Sequence, residues 1–521
     1  MRRWTFLILL FLNLEAFSQV LKTALPFSTA TPFIDPDGRK VSLKIGADDF
    51  VVLSKIKGNL QGESIYQLEK YDKDLTQKFK VLLNCPSEED FKRMLFNGKD
   101  ILLFSVLHNE SQKKSTLVAY IFDATTGEKK SQKTLNEQTV GDWMEVQGKG
   151  AVKTTFDNEI CSSLSKNFTT NFDYQYQIRF SPDESKILMY IFDYGKKALQ
   201  VEVKVFDNNL NELHQGILSI DNGFINYRIY ISNKGDVFIL NSERTGRIVV
   251  IQYDFVTKSS KLLDIQNANT NRASLNLKVF SDDQVYISCI NTADNKLAGV
   301  MYAKFDFKQN TIERLNFHDL SEGIKQTVQI MRSSNKNLVG GENWMNYEIV
   351  KFEVNQFEKI IIVLEKREIS GAGYTYNNLS VNNPKNWVEK AVKVNTEGVL
   401  LFSFNKDDEL LWENFYQKSQ VNDVVMGMTA SSFSFNVTDD GRLRMFYPSY
   451  ENTSGIYNVI NYIEWDELTG IKTKEMKAPN DEGVSMLKDY TVWWEDRVMV
   501  VGRKGLLGKK SFMHLYKLEV N

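Results

Sequence analysis

Side chains able to do chemistry are plentiful in this 521-residue chain but dispersed. His108, His214, His318 and His514 stand alone, with no HExxH and no His-x-His pair, so each reads as a packing residue rather than a metal ligand. No Gly-x-Ser-x-Gly nucleophile elbow is present. Lys504-Gly505-Leu506-Leu507-Gly508-Lys509-Lys510 holds glycines and lysines, but it ends a strand pattern instead of opening a helix, which a phosphate loop must do. The acid pairs Asp407-Asp408 and Asp439-Asp440 fall at hairpin turns and read as solvated, and no loop has the spacing of a helix-loop-helix calcium site. Cys85, Cys161 and Cys289 are odd in number and far apart, which fits neither a disulfide framework nor a zinc site. Cys289, within Val285-Tyr286-Ile287-Ser288-Cys289-Ile290, reads as a buried strand residue. The sequence therefore nominates no catalytic residue, no metal site and no cofactor.

A second group of residues suits binding rather than catalysis. Trp143, Trp344, Tyr347, Tyr374, Tyr376 and Trp387 lie where the strand pattern is interrupted, with Arg367 and Asn377 beside them. Aromatic faces with amides and a guanidinium fit a protein or glycan surface. The plainer reading is that the large aromatics pin each interruption onto the body of the protein, since such rings are usually buried. Gly371, Gly373, Tyr374 and Tyr376 have the composition of an adaptable exposed loop.

The elements that must position these residues are strands. Phe180 to Leu218 shows the unit. A Ser-Pro-Asp turn leads into Ile187-Leu188-Met189-Tyr190-Ile191-Phe192, apolar on both faces as a central strand should be. Val201 to Val205 then alternates apolar and charged residues, the period of a half-buried strand. Two landmarks repeat this unit along the chain. The first is a polar turn before a strongly apolar strand: near Asp48-Asp49, Asn97-Gly98, Pro182-Asp183, Lys234-Gly235, Asp282-Asp283, Gln356-Phe357-Glu358, Asp439-Asp440 and Glu495-Asp496. At Gln356-Phe357-Glu358 no residue has good turn chemistry. The second is an aromatic residue followed by Asp or Asn, at Tyr71-Asp72, Phe122-Asp123, Phe206-Asp207, Tyr253-Asp254, Phe305-Asp306, Phe404-Asn405 and Trp465-Asp466. Where nothing intervenes it recurs at 51, 47 and 52 residues.

A four-stranded antiparallel unit repeating at this period is a propeller blade. The expected fold is all-β: one closed β-propeller of eight blades, with seven as the alternative. Its last unit, from Asp489 to Val520, supplies three strands. A strand between Val20 and Phe33 is expected to complete it, pairing the two ends of the chain and removing an exposed edge.

Phe180-Ser181-Pro182-Asp183 before an apolar strand resembles the repeat of TolB-type and WD40-like propellers. The stretch from Lys359 to Gln420, with Ile-Ile-Ile-Val-Leu-Glu leading through a Gly- and Tyr-rich loop to Leu410-Leu411-Trp412, resembles large secreted propellers of Gram-negative bacteria. These resemblances imply a propeller and export, and carry no catalytic residue to this chain.

Strand direction alternates within a blade. First-to-second and third-to-fourth turns therefore share one edge of the ring, and second-to-third loops share the other with the blade-to-blade connections. The interruptions near 136–170 and 318–347 are blade-to-blade connections, and that near 367–385 is a second-to-third loop, so all three are expected on one edge. Loops on a rigid scaffold are where binding residues concentrate.

The remaining composition narrows the setting. Net charge is −2, which gives no electrostatic case for nucleic acid or anionic lipid. Eight prolines and 42% hydrophobic residues argue against broad disorder. Met1-Arg2-Arg3, the apolar Trp4 to Leu12 and Ala16-Phe17-Ser18 have the form of an export signal over 1–18, leaving 19–521 as one propeller domain. No segment is long enough to span a bilayer as a helix. The expected protein is exported, periplasmic or extracellular with the periplasm favoured. It is expected to be a non-enzymatic binding or scaffold propeller with a protein or glycan partner, in or near an envelope complex. The alternative is a glycoside hydrolase or lyase with its site at the axial channel.

Overall fold

A computed structural model describes residues 22–518 outside 27–30, 33–41, 59–62, 87–88, 110–111, 113, 140–175, 195–198, 221–223, 244–245, 267–269, 294–295, 328–346, 371–392, 424–432, 439, 450–458, 480–483 and 505–509. Its strands form eight antiparallel sheets arranged as the blades of a propeller ring. Blades 2 to 7 each use four strands consecutive in sequence and span 89–139, 177–220, 224–265, 270–319, 347–423 and 434–479. Blade 3 is Gln177–Phe180, Lys186–Tyr194, Leu199–Asp207 and Glu212–Ile220, from the axis outward.

Blade 8 closes the ring. Its inner three strands, Val484–Trp493, Arg497–Lys504 and Lys510–Lys517, are completed by Lys22–Pro26, which pairs antiparallel with the last of them. In blade 1 the inner strand is split. Thr31–Pro32 and Ser42–Ile45 both pair with Asp49–Gly58, the latter against its first half. At the seam, Phe50 of blade 1 packs edge-on against Trp494 of blade 8 with ring centroids 5.6 Å apart.

The second landmark is the device that closes the third-to-fourth turns. The carboxylates of Asp72, Asp123, Asp207, Asp254, Asp306 and Asp466, and the amide oxygen of Asn405, each accept backbone N–H bonds from residues two to four positions on. These bonds take up turn donors that a sheet ladder would otherwise leave unpaired. Two of the turns also require glycine. Gly127 and Gly470 have φ of +76° and +67°, and a Cβ there would lie 2.6 Å from Phe79 and 2.5 Å from Trp412 of the preceding blade.

The first-to-second turn of blade 6 corrects the sequence reading. Its acceptor is Asn355, one position before the stretch that lacked turn residues: Asn355 Oδ1 accepts from the N–H groups of Phe357 and Lys359.

Blades are joined by packing and by recurrent lysines. Apolar faces of adjacent sheets interdigitate in eight clusters, each shared by neighbouring blades. Above this core, lysines of one blade donate to turn carbonyls of the next: Lys70 to Ala124, Lys133 to Leu210, Lys261 to Phe307 and Lys359 to Glu467, at 2.6–2.9 Å. Each such bond satisfies a carbonyl that the tight turn points toward the neighbour.

Candidate functional site

Strand ends place the interruptions as the repeat phase requires. All fifteen first-to-second and third-to-fourth connections run three to five residues, on one edge of the ring. The other edge carries the chain ends that flank the long segments. Thr139 and Gln177, Asp319 and Tyr347, and Ser370 and Lys393 bound the three longest. Ser449 and Val459, and Lys504 and Lys510, bound two shorter ones.

The nominated binding residues divide on this map. Trp143, Trp344, Tyr374, Tyr376, Asn377 and Trp387 lie outside the described residues. Arg367 is a strand residue in register with Thr396, so the strand extends past the expected loop start near 367 and ends at Ser370. Tyr347, read as a loop residue, is in a strand. It begins the inner strand of blade 6, is 4% exposed, and packs with Tyr286, Ile290 and Ile349 between blades 5 and 6. An apolar ring at the start of an inner strand has more surface to bury against the next blade than to show to a partner. The interruption expected from 318 likewise begins later: His318 is still in the outer strand of blade 5, and 322–327 are helical.

Blade 6 holds a fully buried ion pair. Glu365 and Lys418, both with 0% side-chain exposure, pair across blade 6. Lys418 Nζ also donates to Thr396 Oγ1 at 3.1 Å and to Gln420 Oε1 at 2.5 Å, and Gln420 donates to the Pro448 carbonyl of blade 7 at 2.9 Å. Its ammonium lies 5.1 Å from the centre of the Phe433 ring. Such a cation is tolerated only because every face of it meets a partner. A second buried carboxylate, Glu89, accepts from Ser105 and from Tyr120 at 2.7 Å. Burial, and then Glu89, push the Cys85 thiol up to about 12, so it stays protonated.

The opposite edge holds an inter-blade network of its own. Arg314 of blade 5 pairs with Asp408 and Glu358 of blade 6, and Lys304 pairs with Glu358 at 2.9 Å. Tyr286 and Tyr302 donate to the same two carboxylates at 2.8 and 2.9 Å. Asp408, read from sequence as a solvated turn acid, is thus a structural anchor.

The axial channel adds a cavity of about 340 Å³ on the short-turn edge. The inner strands of blades 2 to 5 line it, with the first turn of blade 3 at its mouth. Arg93, Arg179 and Lys278 supply cations, Glu184 one carboxylate, and Tyr230 a ring. Arg179 lies 5.2 Å from the centre of that ring. Lys278 Nζ is 2.8 Å from Glu353, which Lys351 also meets at 2.8 Å. Burial acts to raise the Glu353 carboxyl, but the two lysines outweigh it and hold it below the usual range.

The alternation of these strands explains the lining. Ile178, Ile229, Ile231, Leu277 and Val279 enter the clusters between blades. Their neighbours Arg179, Tyr230 and Lys278 are left half-buried. Gln177-Ile178-Arg179, Arg228-Ile229-Tyr230-Ile231 and Asn276-Leu277-Lys278-Val279 carry this alternation in the sequence, outside any catalytic motif. Among the described residues no group of three His, Cys, Asp or Glu is placed to hold a metal. Three histidines pack on aromatic rings: His214 on Phe255, His318 on Phe404 and His514 on Tyr516.

No protein-family model matches the chain, and no curated protein matches it in sequence. Among solved structures it is similar to the WD40 domain of SCAP from fission yeast, at 10% identity and TM-score 0.40, covering 95% of this chain and 98% of that one. It is also similar to the polysaccharide lyase Uly1, at 9% identity and TM-score 0.42, covering 96% and 100%. A third is the β-propeller domain of the Trilobed protease from Pyrococcus furiosus, at 9% identity and TM-score 0.35, covering 83% and 96%. The eight-bladed assignment rests on this chain's own strand pairing.

Proposed function

We propose that this chain is an exported binding or scaffold propeller that engages a protein or glycan through the edge carrying its long segments. The observation that supports the reading is the sorting of connections: every connection on one edge is minimal, while residues 140–176, 320–346 and 371–392 all leave from the other. A closed ring holds its strand ends rigidly, so segments added on one edge share a surface. The resemblance of Phe180-Ser181-Pro182-Asp183 to TolB-type repeats extends the proposal to an envelope complex, with the periplasm as the compartment.

The test is capture of partners from an envelope extract by residues 19–521, alongside a Tyr374→Ala/Tyr376→Ala/Trp387→Ala variant. A partner retained by the parent and lost by the variant supports the reading. Equal retention, or none, overturns it. A second reading, a carbohydrate-active enzyme at the axial channel, has Tyr230 and Arg179 at the channel mouth in its favour. Turnover of acidic oligosaccharides tests it.

A further inference from the structure

We infer that the axial cavity on the short-turn edge is a binding site for a small oxyanion-bearing ligand of sugar size, separate from the long-segment edge. Three observations carry this. The cavity, about 340 Å³, falls in the range of small-ligand sites. Its lining carries three cations, Arg93, Arg179 and Lys278, and one carboxylate, Glu184; Lys278 also pairs with Glu353, which Lys351 shares. The rest of its wall holds the Tyr230 ring and the Ser181-Pro182 turn, with Ile178, Ile231 and Leu277 packed behind them.

The two arginines come from the inner strands of adjacent blades, so they are fixed by the ring and not by a loop. Planar guanidinium forks match a carboxylate or phosphate through paired N–H bonds, and a ring face accommodates the C–H face of a sugar. Charges of one sign on the wall of a cleft concentrate their field on whatever enters. A carboxylate on a sugar ring and a phosphate share this chemistry.

The test is isothermal titration of the full propeller with D-glucuronate, inorganic phosphate and, as the neutral control, D-glucose. Saturable binding of glucuronate assigns the carboxylate, and of phosphate the phosphate; either supports the site if glucose does not bind and added salt weakens the interaction. In Arg93→Gln/Arg179→Gln the affinity falls at least about tenfold. Glu184→Gln is a second variant that adds no bulk. Removing a negative charge from the mouth tightens binding about threefold, the scale of one unit charge several ångströms away in water. No binding of either anion overturns the inference. So does binding that neither variant alters, or binding of glucose equal to that of glucuronate. The long-segment variant tested for partner capture binds these anions as the parent does, so failure of one proposal leaves the other standing.

Discussion

On one edge of the ring the turns close on themselves. Asp or Asn side chains cap them, glycines in two of them admit the neighbouring aromatic ring, and lysines tie four of them to the blade before. On the other edge the strands run past the blade body, to Thr139, Ser370 and Asp423, and hand over to long segments. Both edges hold inter-blade charge networks, but of different character. The Arg314 network sits at the surface among turn carboxylates, with Asp408 34% exposed, whereas Lys418 and Glu365 are sealed. The difference shows what each edge must do. Tight turns need local satisfaction of backbone groups. The strands of blade 6 that bound its long connection need a rigid foot, and the buried pair locks strands two, three and four of that blade to blade 7.

Substitutions should expose this contrast, beginning with the buried foot. Lys418→Met leaves Glu365 buried without its cation and is expected to cost about 3–5 kcal/mol, read by urea unfolding. Arg314→Ala is expected to cost less, about 2 kcal/mol, because Asp408 and Glu358 keep access to water. Equal losses at the two positions would erase the distinction between the networks. Asp207→Ala removes two backbone acceptor bonds in one turn and is expected to cost about 1 kcal/mol.

The smallest effect is on pH dependence. Partial burial acts to raise the carboxyls of Asp72, Asp207, Asp254 and Asp306, but hydrogen bonds outweigh it and hold them below the ordinary 3.8. Lys130 chiefly does the same for Asp123, and Thr469 for Asp466. Because the folded values lie below the unfolded ones, this stabilisation is full above pH 3.8 and is lost as pH falls through the folded values. Asp207→Asn keeps the acceptor and drops the charge, as Asn405 does in blade 6. Its stability should fall less steeply than the parent's below pH 4, measured by thermal unfolding across an acid series.

Much of this edge was legible in the sequence. Aromatic-Asp pairs are local devices whose spacing gives the blade period, and together with the eight polar turns they give the blade count and the phase that sorts the connections. Closure by Lys22–Pro26 was legible too, because blade 8 lacked a strand. The sites were less so. Tyr347 stood next to an interruption and looked like a loop residue, yet the inner strand begins with it, and strand boundaries are not encoded in residue type. Asp408 looked solvated because its partner Arg314 lies 94 residues away. The axial cations are contributed by blades 2, 3 and 5 in turn, so only the ring brings them together.

The most direct measurement compares the two edges in one capture experiment. The parent, the Tyr374→Ala/Tyr376→Ala/Trp387→Ala variant and a short-turn variant, Phe357→Ser/Leu468→Ser, are each exposed to the same envelope extract. Phe357 and Leu468 are the control because they are 72% and 70% exposed, so their loss spares the core. The long-segment variant is expected to lose the partner and the short-turn variant to keep it. Loss in the short-turn variant with retention in the other would place recognition on the wrong edge and contradict this expectation.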